Sequence, residues 1–574
     1  MALAISALLF FLPRRGPAPH RLAMVFVVLG AALPVALDPL IDPARATGRA
    51  LWQWSAVGGP SIQASYRLDG LSAVTLALTV AFTGAALATA GRAERRHPAL
   101  AALVLAIGLV TIALVVTADL VAAIVVLAVL AALTVLALFA VAPASATARV
   151  AAYLSIGLQA WVLTALLVSR SGSPTFLLGE MPAAAVTASV ILAATLGALL
   201  YAGLYPAVTW DTDQGNAASD PGPLGSLVLM PAGIGATLLL IRLIGASDIP
   251  TSQIGLPDMG IELRLLAIVV VLFAVALRVA VGADLPRRPI AVGVVAIALI
   301  AAMPLLGWAH LVLISAILTA AYAGVVSLAL PDRWEDVRSD LGLVALWIAL
   351  ATGSPLGIAG GLIALSARAA AALASSLWLV PHRDYVTLVG GSAVFVAGTI
   401  AVGAGALSAA DPPTGALALA ATAILVVLEL AQVGRRFRVA DVPRDLDAAS
   451  GIAAFLLALL AAILVVPTEA AVRDQVHGPA AASPAHIAAI ALAAALAVVL
   501  ARTVRPLLPY FETAAERSGP AMRALDPVPI GVGAFRALEA AATRASAAFG
   551  VFERQAGVWV AAAVIVVLLI WAVR

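Results

Sequence analysis

Apolar runs of close to twenty residues, separated by short clusters of charge, proline and glycine, repeat along the whole chain. They fall at 2–12, 21–38, 71–90, 99–117, 120–142, 150–168, 184–204, 224–244, 264–283, 289–307, 309–330, 340–352, 357–380, 386–409, 414–433, 450–466, 484–501 and 557–573. Most are long enough to cross a hydrocarbon core ~30 Å thick as helices. The pattern predicts an all-α, polytopic membrane protein of about 16 to 18 transmembrane helices. The runs at 2–12 and 340–352 are short for full crossings. Pro206 and Pro355 interrupt apolar runs, so discontinuous helices are expected at 201–210 and near 353–361.

One stretch departs from this rhythm. Within residues 502–556, Phe535, Leu538, Ala542, Ala545, Phe549 and Phe552 recur at spacings of three and four. Arg536, Glu539, Arg544, Glu553 and Arg554 lie mostly elsewhere on the same helix. Such a stripe suits a helix lying in the membrane interface, and equally one that docks on a partner.

Composition agrees with the pattern. Of 574 residues 63% are hydrophobic and 11% charged, where a soluble domain carries about a quarter charged. The absence of cysteine excludes disulfides, iron–sulfur clusters and thiolate metal sites. The six histidines show no HExxH or similar spacing, so no metal is expected. No G-x-G-x-x-G stands in the right context, and neither a cofactor nor a nucleic-acid partner is expected.

All 33 basic residues are arginine. No side chain can therefore act as an ammonium that gives up its proton on burial. If the spans alternate, the connections holding Arg14, Arg95, Arg149, Arg287, Arg333, Arg383 and Arg435 share one face. The positive-inside rule makes that face cytoplasmic and the N-terminus external, in a multi-pass plasma-membrane protein. The first run has no charge before it and no A-x-A-like site after it, which reads as an anchor and not a cleaved signal.

The stretch "YRLDGLSAVTLALTVAFTGAALATAGR" places Arg67 and Asp69 directly before an apolar run. The local reading of Asp69 is an N-cap that accepts free N–H groups and complements the helix dipole. The string also resembles an early core helix of the antiporter-like family, which comprises the large membrane subunits of respiratory complex I, Mrp-type cation/proton antiporters and membrane-bound hydrogenases. Leu68, Asp69, Gly70, Leu71, Ser72 and Thr83 carry the match. Further segments follow in family order. "VVTADLVAAI" puts Asp119 at a motif Asp, and the next helix is similar at Tyr153, Ser155 and Gln159. "LYPAVTWDTDQ" and its sequel match at Pro206, Trp210, Asp213 and Arg242. "ADLPRRPIAVG", "AHLVLISAIL" with His310, and "GSPLGIAGG" complete a resemblance over roughly residues 60 to 380.

Together with the span pattern, the resemblance divides the chain into four stretches. These are N-terminal anchor helices and an external loop (1–60), an antiporter-like core (61–380), additional C-terminal helices (381–501), and an amphipathic helix with a final span (502–574). It further implies other membrane subunits as partners beside the lipid bilayer. The departures concern the family's proton relay. The slot of its buried Glu is Val129, and that of the Lys pairing with it is Tyr201. Positions expected to carry Lys or His are Ile234 and Leu318. The remaining ion-path candidates are His310, Glu180, Glu262, Arg242, Arg278 and Arg368. Arg368 is the deepest charge and calls for an acidic or carbonyl partner. The function implied is a membrane subunit that is a scaffold or a rewired ion conduit, catalysing no reaction itself. An independent secondary transporter with broken helices is the alternative. A membrane enzyme of lipid metabolism is a further one; Asp211 and Asp213 are its candidate cation ligands, or a solvated loop.

Overall fold

A computed structural model describes residues 47–55, 60–89, 99–142, 144–205, 223–247, 249, 254, 307–329, 334–377, 381–408, 411–439, 444–473, 475–476, 486–494, 496, 509–510, 512–513 and 517. All of them lie within one compact unit, residues 1–520. The expected spans at 2–12, 21–38, 264–283, 289–307 and 557–573, and the amphipathic stripe of 535–552, lie outside the described residues.

Among the described residues, twelve long helices follow one short hairpin of strands. The strands are β1 (Thr47–Ser55) and β2 (Ser61–Leu68). The helices are α1 (Gly70–Thr89), α2 (Leu100–Val116), α3 (Leu120–Val141), α4 (Ala144–Arg170), α5 (Ala188–Ala202) and α6 (Pro223–Gly245), then α7 (Trp308–Ala329), α8 (Trp334–Thr352), α9 (Pro355–Leu377), α10 (Pro381–Leu407), α11 (Pro412–Val439) and α12 (Arg444–Arg473). Eight of these have the length and apolarity to cross a membrane, and four shorter apolar helices accompany them, among the described residues. The chain is a multi-pass, all-α membrane protein. Helix α6 is almost wholly buried, whereas α3 and α4 turn most of their surface outward.

The hairpin is a difference from the sequence reading, which has only a loop before residue 60. Its strands pair antiparallel from Thr47↔Leu68 to Ser55↔Ser61, with an irregularity between Ala50 and Trp52. Strand β2 then ties together two connections between helices. Ser61 N–H donates to Pro174 O (2.9 Å) and Phe176 N–H to Ser61 O (3.2 Å). Ala118 N–H donates to Ser65 O (3.1 Å), and Leu178 N–H to Ala118 O (3.0 Å). Backbone groups that leave the helix ladders are thereby satisfied at this end of the bundle, called here the hairpin face.

The interruption near 353–361 is present, and it reverses the chain. Gly353 takes a left-handed conformation (φ 64°) after α8, which only glycine adopts without strain. Ser354 then caps α9, its hydroxyl accepting from Gly357 N–H at 3.4 Å, and Pro355 occupies the first helical turn. A Cβ on Gly361 would fall 2.6 Å from Leu346 Cα, so the two helices run antiparallel from the turn. Pro355 starts a helix here and does not break one. Beyond it α9 meets α10 at backbone distance, since a Cβ on Gly360 would lie 2.6 Å from Gly398 O. Small residues permit such approach between membrane helices.

Candidate functional site

At the hairpin face Asp69 caps α1, as its position before the apolar run predicts. Its Oδ1 accepts from Ser72 N–H (2.8 Å) and from the Ser72 hydroxyl (2.6 Å). From α6, Arg242 Nη2 reaches both carboxylate oxygens at 3.3 and 3.4 Å, and Arg67 Nε lies 3.2 Å from Oδ2. The other arginine arm, Nη1, donates to Val115 O (2.9 Å) and Thr117 O (3.1 Å) at the end of α2. Burial alone would raise the Asp69 carboxyl. The Arg242 charge, the Ser72 hydrogen bonds and Arg67 outweigh it and hold Asp69 below its ordinary value.

Asp119 is fully buried and caps α3, accepting from Val121 N–H (2.9 Å) and Ala122 N–H (3.0 Å). Its second oxygen accepts from Gln63 N–H of β2 at 2.9 Å. Burial raises its carboxyl despite these three bonds. The two motif aspartates thus end helices and anchor the hairpin.

Helix α5 is short for a full crossing. Its 15 residues rise about 22 Å, short of a ~30 Å core. Gly203 terminates it in the left-handed conformation (φ 66°). The freed backbone of Tyr205 is taken up by α7: its N–H donates to Thr319 Oγ1 (2.9 Å), and its carbonyl accepts from Ser315 Oγ (2.5 Å). Hydroxyls on a neighbouring helix are a means by which membrane proteins tolerate such a break. Pro206, Trp210 and Asp213 lie outside the described residues, as do Glu262 and Arg278.

The four positions matched to the family's relay residues do not form a polar path. Tyr201 is buried, and its hydroxyl donates to Leu127 O of α3 at 3.2 Å. Ile234 is buried among apolar side chains, and Leu318 is half-buried. Val129 points outward, 47% exposed. The inward face of α3 is Leu120, Ala123, Ile124, Leu127, Leu130, Thr134, Ala137 and Leu138, with no carboxylate.

Two further pairs involve sequence-predicted residues. His310 sits in the first turn of α7, where Nδ1 accepts from Gly307 N–H at 3.2 Å, closing a reciprocal helix cap. Its Nε2 lies 3.9 Å from Asp411 Oδ2. Asp411 caps α11 through Thr414 N–H (3.2 Å) and Thr414 Oγ1 (2.6 Å), which with His310 lower its carboxyl. Glu180 is an exposed turn residue.

Arg368 has the acidic partner its depth requires. It lies 13 residues into α9 and 9 from its end, about 20 and 14 Å from the two ends. Its Nη1 and Nη2 donate to Glu429 Oε1 (3.1 Å) and Oε2 (2.6 Å) on α11. Ser392 of α10 donates to Glu429 Oε1 at 2.5 Å, and the guanidinium carbon stands 3.6 Å from the Phe395 ring centroid. A Cβ on Gly342 of α8 would crowd Arg368 Cγ at 3.1 Å. Four helices therefore enclose one charge pair. The sequence places Glu429 near the end of its apolar run, one and a half turns before Arg435, and does not name it as the partner of Arg368.

No protein-family model matches the chain, and no curated protein does. Solved structures do. A chain of the Mrp complex from Dietzia sp. DQ12-45-1b aligns over 90% of this chain at 15% identity with a TM-score of 0.55. This chain spans 57% of that one's length. A chain of the membrane-bound sulfane sulfur reductase, an archaeal respiratory membrane complex, aligns over 83% of this chain and 77% of its own, at 15% identity and a TM-score of 0.52. A chain of respiratory complex I from Thermus thermophilus aligns over 92% and 98% at 17% identity, with a TM-score of 0.39 that bears no weight. Identities this low speak to fold alone, and the fold resembles that of chains in the Mrp complex and the membrane-bound sulfane sulfur reductase.

Proposed function

We propose that the chain is a membrane subunit of a multisubunit complex whose half from α1 to α8 serves as a scaffold and conducts no protons by a lysine switch. The observation that carries this reading is the inward face of α3. No carboxylate stands on it, and the tyrosine in the matched lysine slot spends its hydroxyl on the carbonyl of Leu127. A lysine switch needs a buried acid whose proton affinity changes as an ammonium approaches. A unit charge at ~4 Å is worth about 4 kcal/mol at an effective dielectric near 20, roughly three pKa units. This chain has no lysine to supply it. Among the described residues, Arg368 and Glu429 are a charge pair deep in the bundle, held face to face in a two-pronged bond that favours a fixed pair over a carrier.

The arginine-rich connections make the face opposite the hairpin cytoplasmic in this reading, in a plasma membrane, with the N-terminus external. Partners of the subunit supply any redox or transport chemistry. The test is the purified chain in proteoliposomes containing a pH-sensitive dye. Proton uptake under an imposed potential is expected to match that of protein-free liposomes. Uptake above that level which disappears in Glu429→Gln or His310→Gln would overturn the scaffold reading in favour of a rewired conduit.

A further inference from the structure

Helix α4 carries a seam unlike the outward faces of its neighbours. Ala152, Ile156, Gln159, Leu163 and Leu166 are all exposed, with Ser155 beside them. Their spacing alternates four and three, so they form one straight stripe of period 3.5. Ile156 is 48% exposed, Leu163 49% and Leu166 62%. Gln159 stands 15 residues from the start of α4 and 11 from its end, about 22 and 16 Å from them and so near the middle of the membrane.

The amide of Gln159 has no hydrogen-bond partner among the described residues. Hydrocarbon offers it none, and an amide without a partner there is strongly disfavoured. Other outward stripes fit lipid. That of α3 is Val125, Val129, Ala132, Leu136 and Phe139, and those of α11 and α12 are apolar too. Lipid chains therefore suit those faces and leave this one unsatisfied. Ser155 bonds its own Ala151 O at 2.7 Å, so with Ala152 it presents a small, self-contained surface that allows a close backbone approach.

We propose that this seam of α4 docks a transmembrane helix of a neighbouring subunit, which packs small residues over Ala152 and Ser155 and offers a hydrogen-bonding side chain to Gln159. A heptad-spaced stripe meets such a helix at a left-handed crossing near +20°. The proposal rests on the reading of the chain as one subunit of an assembly.

The absence of native cysteine and the outward direction of these residues permit a clean test in native membranes. A photo-crosslinking amino acid is placed at Leu163, and at Leu136 of α3 as the lipid-facing control. Expected is a protein adduct at 163 whose captured peptide maps to an apolar helix of another chain with a polar side chain at mid-span. Position 136 yields lipid adducts. Gln159→Leu lowers the yield at 163 roughly tenfold while Gln159→Asn preserves most of it, the size expected of one interhelical hydrogen bond. Lipid adducts alone at 163, a captured peptide from this same polypeptide, a homodimer, or yields indifferent to Gln159→Leu would each overturn the proposal. Native-gel migration of the unmodified chain tests the assembly reading by itself: a large species with only lipid at 163 removes the seam and leaves the assembly standing.

Discussion

Arg368 and Glu429 face each other across 61 residues of sequence as a two-pronged ion pair, closed off by Ser392 and the ring of Phe395. Desolvating two charges costs so much that such a pair adds little net stability, yet losing one member leaves the other buried and unpaired. Arg368→Met alone and Glu429→Leu alone are each expected to destabilise by about 3–5 kcal/mol. The double variant should recover most of that loss. Thermal unfolding in detergent across the four members of the cycle measures the coupling, and additive losses would show that the pair is not the constraint.

Asp69 sets a dependence on acid. Its unfolded carboxyl titrates near 3.8 and its folded one lower, held there against burial by Arg242, Ser72 and Arg67. The stabilisation is therefore complete above the unfolded value and lost as pH falls through the folded one. Asp69→Asn should be less stable than the unmodified protein at pH 7, and the difference between their melting temperatures should narrow as pH is taken down to 3. A constant difference would mean that the carboxylate charge contributes nothing.

The end of α5 depends on hydroxyls of α7. Ser315→Ala and Thr319→Val each strand one backbone group of Tyr205 against α7. Each is expected to cost about 1–3 kcal/mol, the desolvation of an unpaired polar group. Amide exchange at Tyr205, followed by mass spectrometry, should quicken in Thr319→Val, which removes the acceptor of that N–H, and much less in Ser315→Ala.

The approach of α9 to α10 leaves no room for a side chain. Gly398→Leu would drive its Cβ to 2.5 Å from Ala364 N, a backbone atom that cannot step aside. Overpacking of this kind costs at least about 1–3 kcal/mol, so the extracted variant should melt well below the unmodified protein. Gly172→Ala, at an open turn position with φ 79°, should cost only the smaller strain of a left-handed residue.

Features written locally were legible in the sequence. Asp69 reads as a cap because an aspartate before an apolar run has its partners within three residues, and Asp119 proves to follow the same rule. Pro355, by interrupting an apolar run, marks the place where α8 ends, and the structure adds the left-handed Gly353 and the Ser354 cap before it. A proline alone cannot tell a kink from a reversal, which is decided by whether Leu346 meets Gly361. Spacing likewise located Val129 near a family slot without its direction. One position along, Leu130 is buried, and Val129 faces outward because a helix turns 100° per residue. The strands were passed over because β1 exposes almost every side chain and lacks a buried face to betray its alternation. Partners far apart, Arg242 for Asp69 and Glu429 for Arg368, are properties of the packed bundle.

The contact between Asp69 and Arg242 also has a birth order. The two residues are 173 positions apart, and at about 5–20 residues per second the arginine leaves the ribosome roughly 9 to 35 seconds after the aspartate. Through that interval the newborn α1 has only Arg67 and Ser72 to steady its terminal charge. The hairpin face cannot close until residue 178 has followed, and the cluster beneath it waits for α6. A chain stalled or truncated before Arg242 thus leaves the Asp69 carboxylate with Arg67 and Ser72 alone.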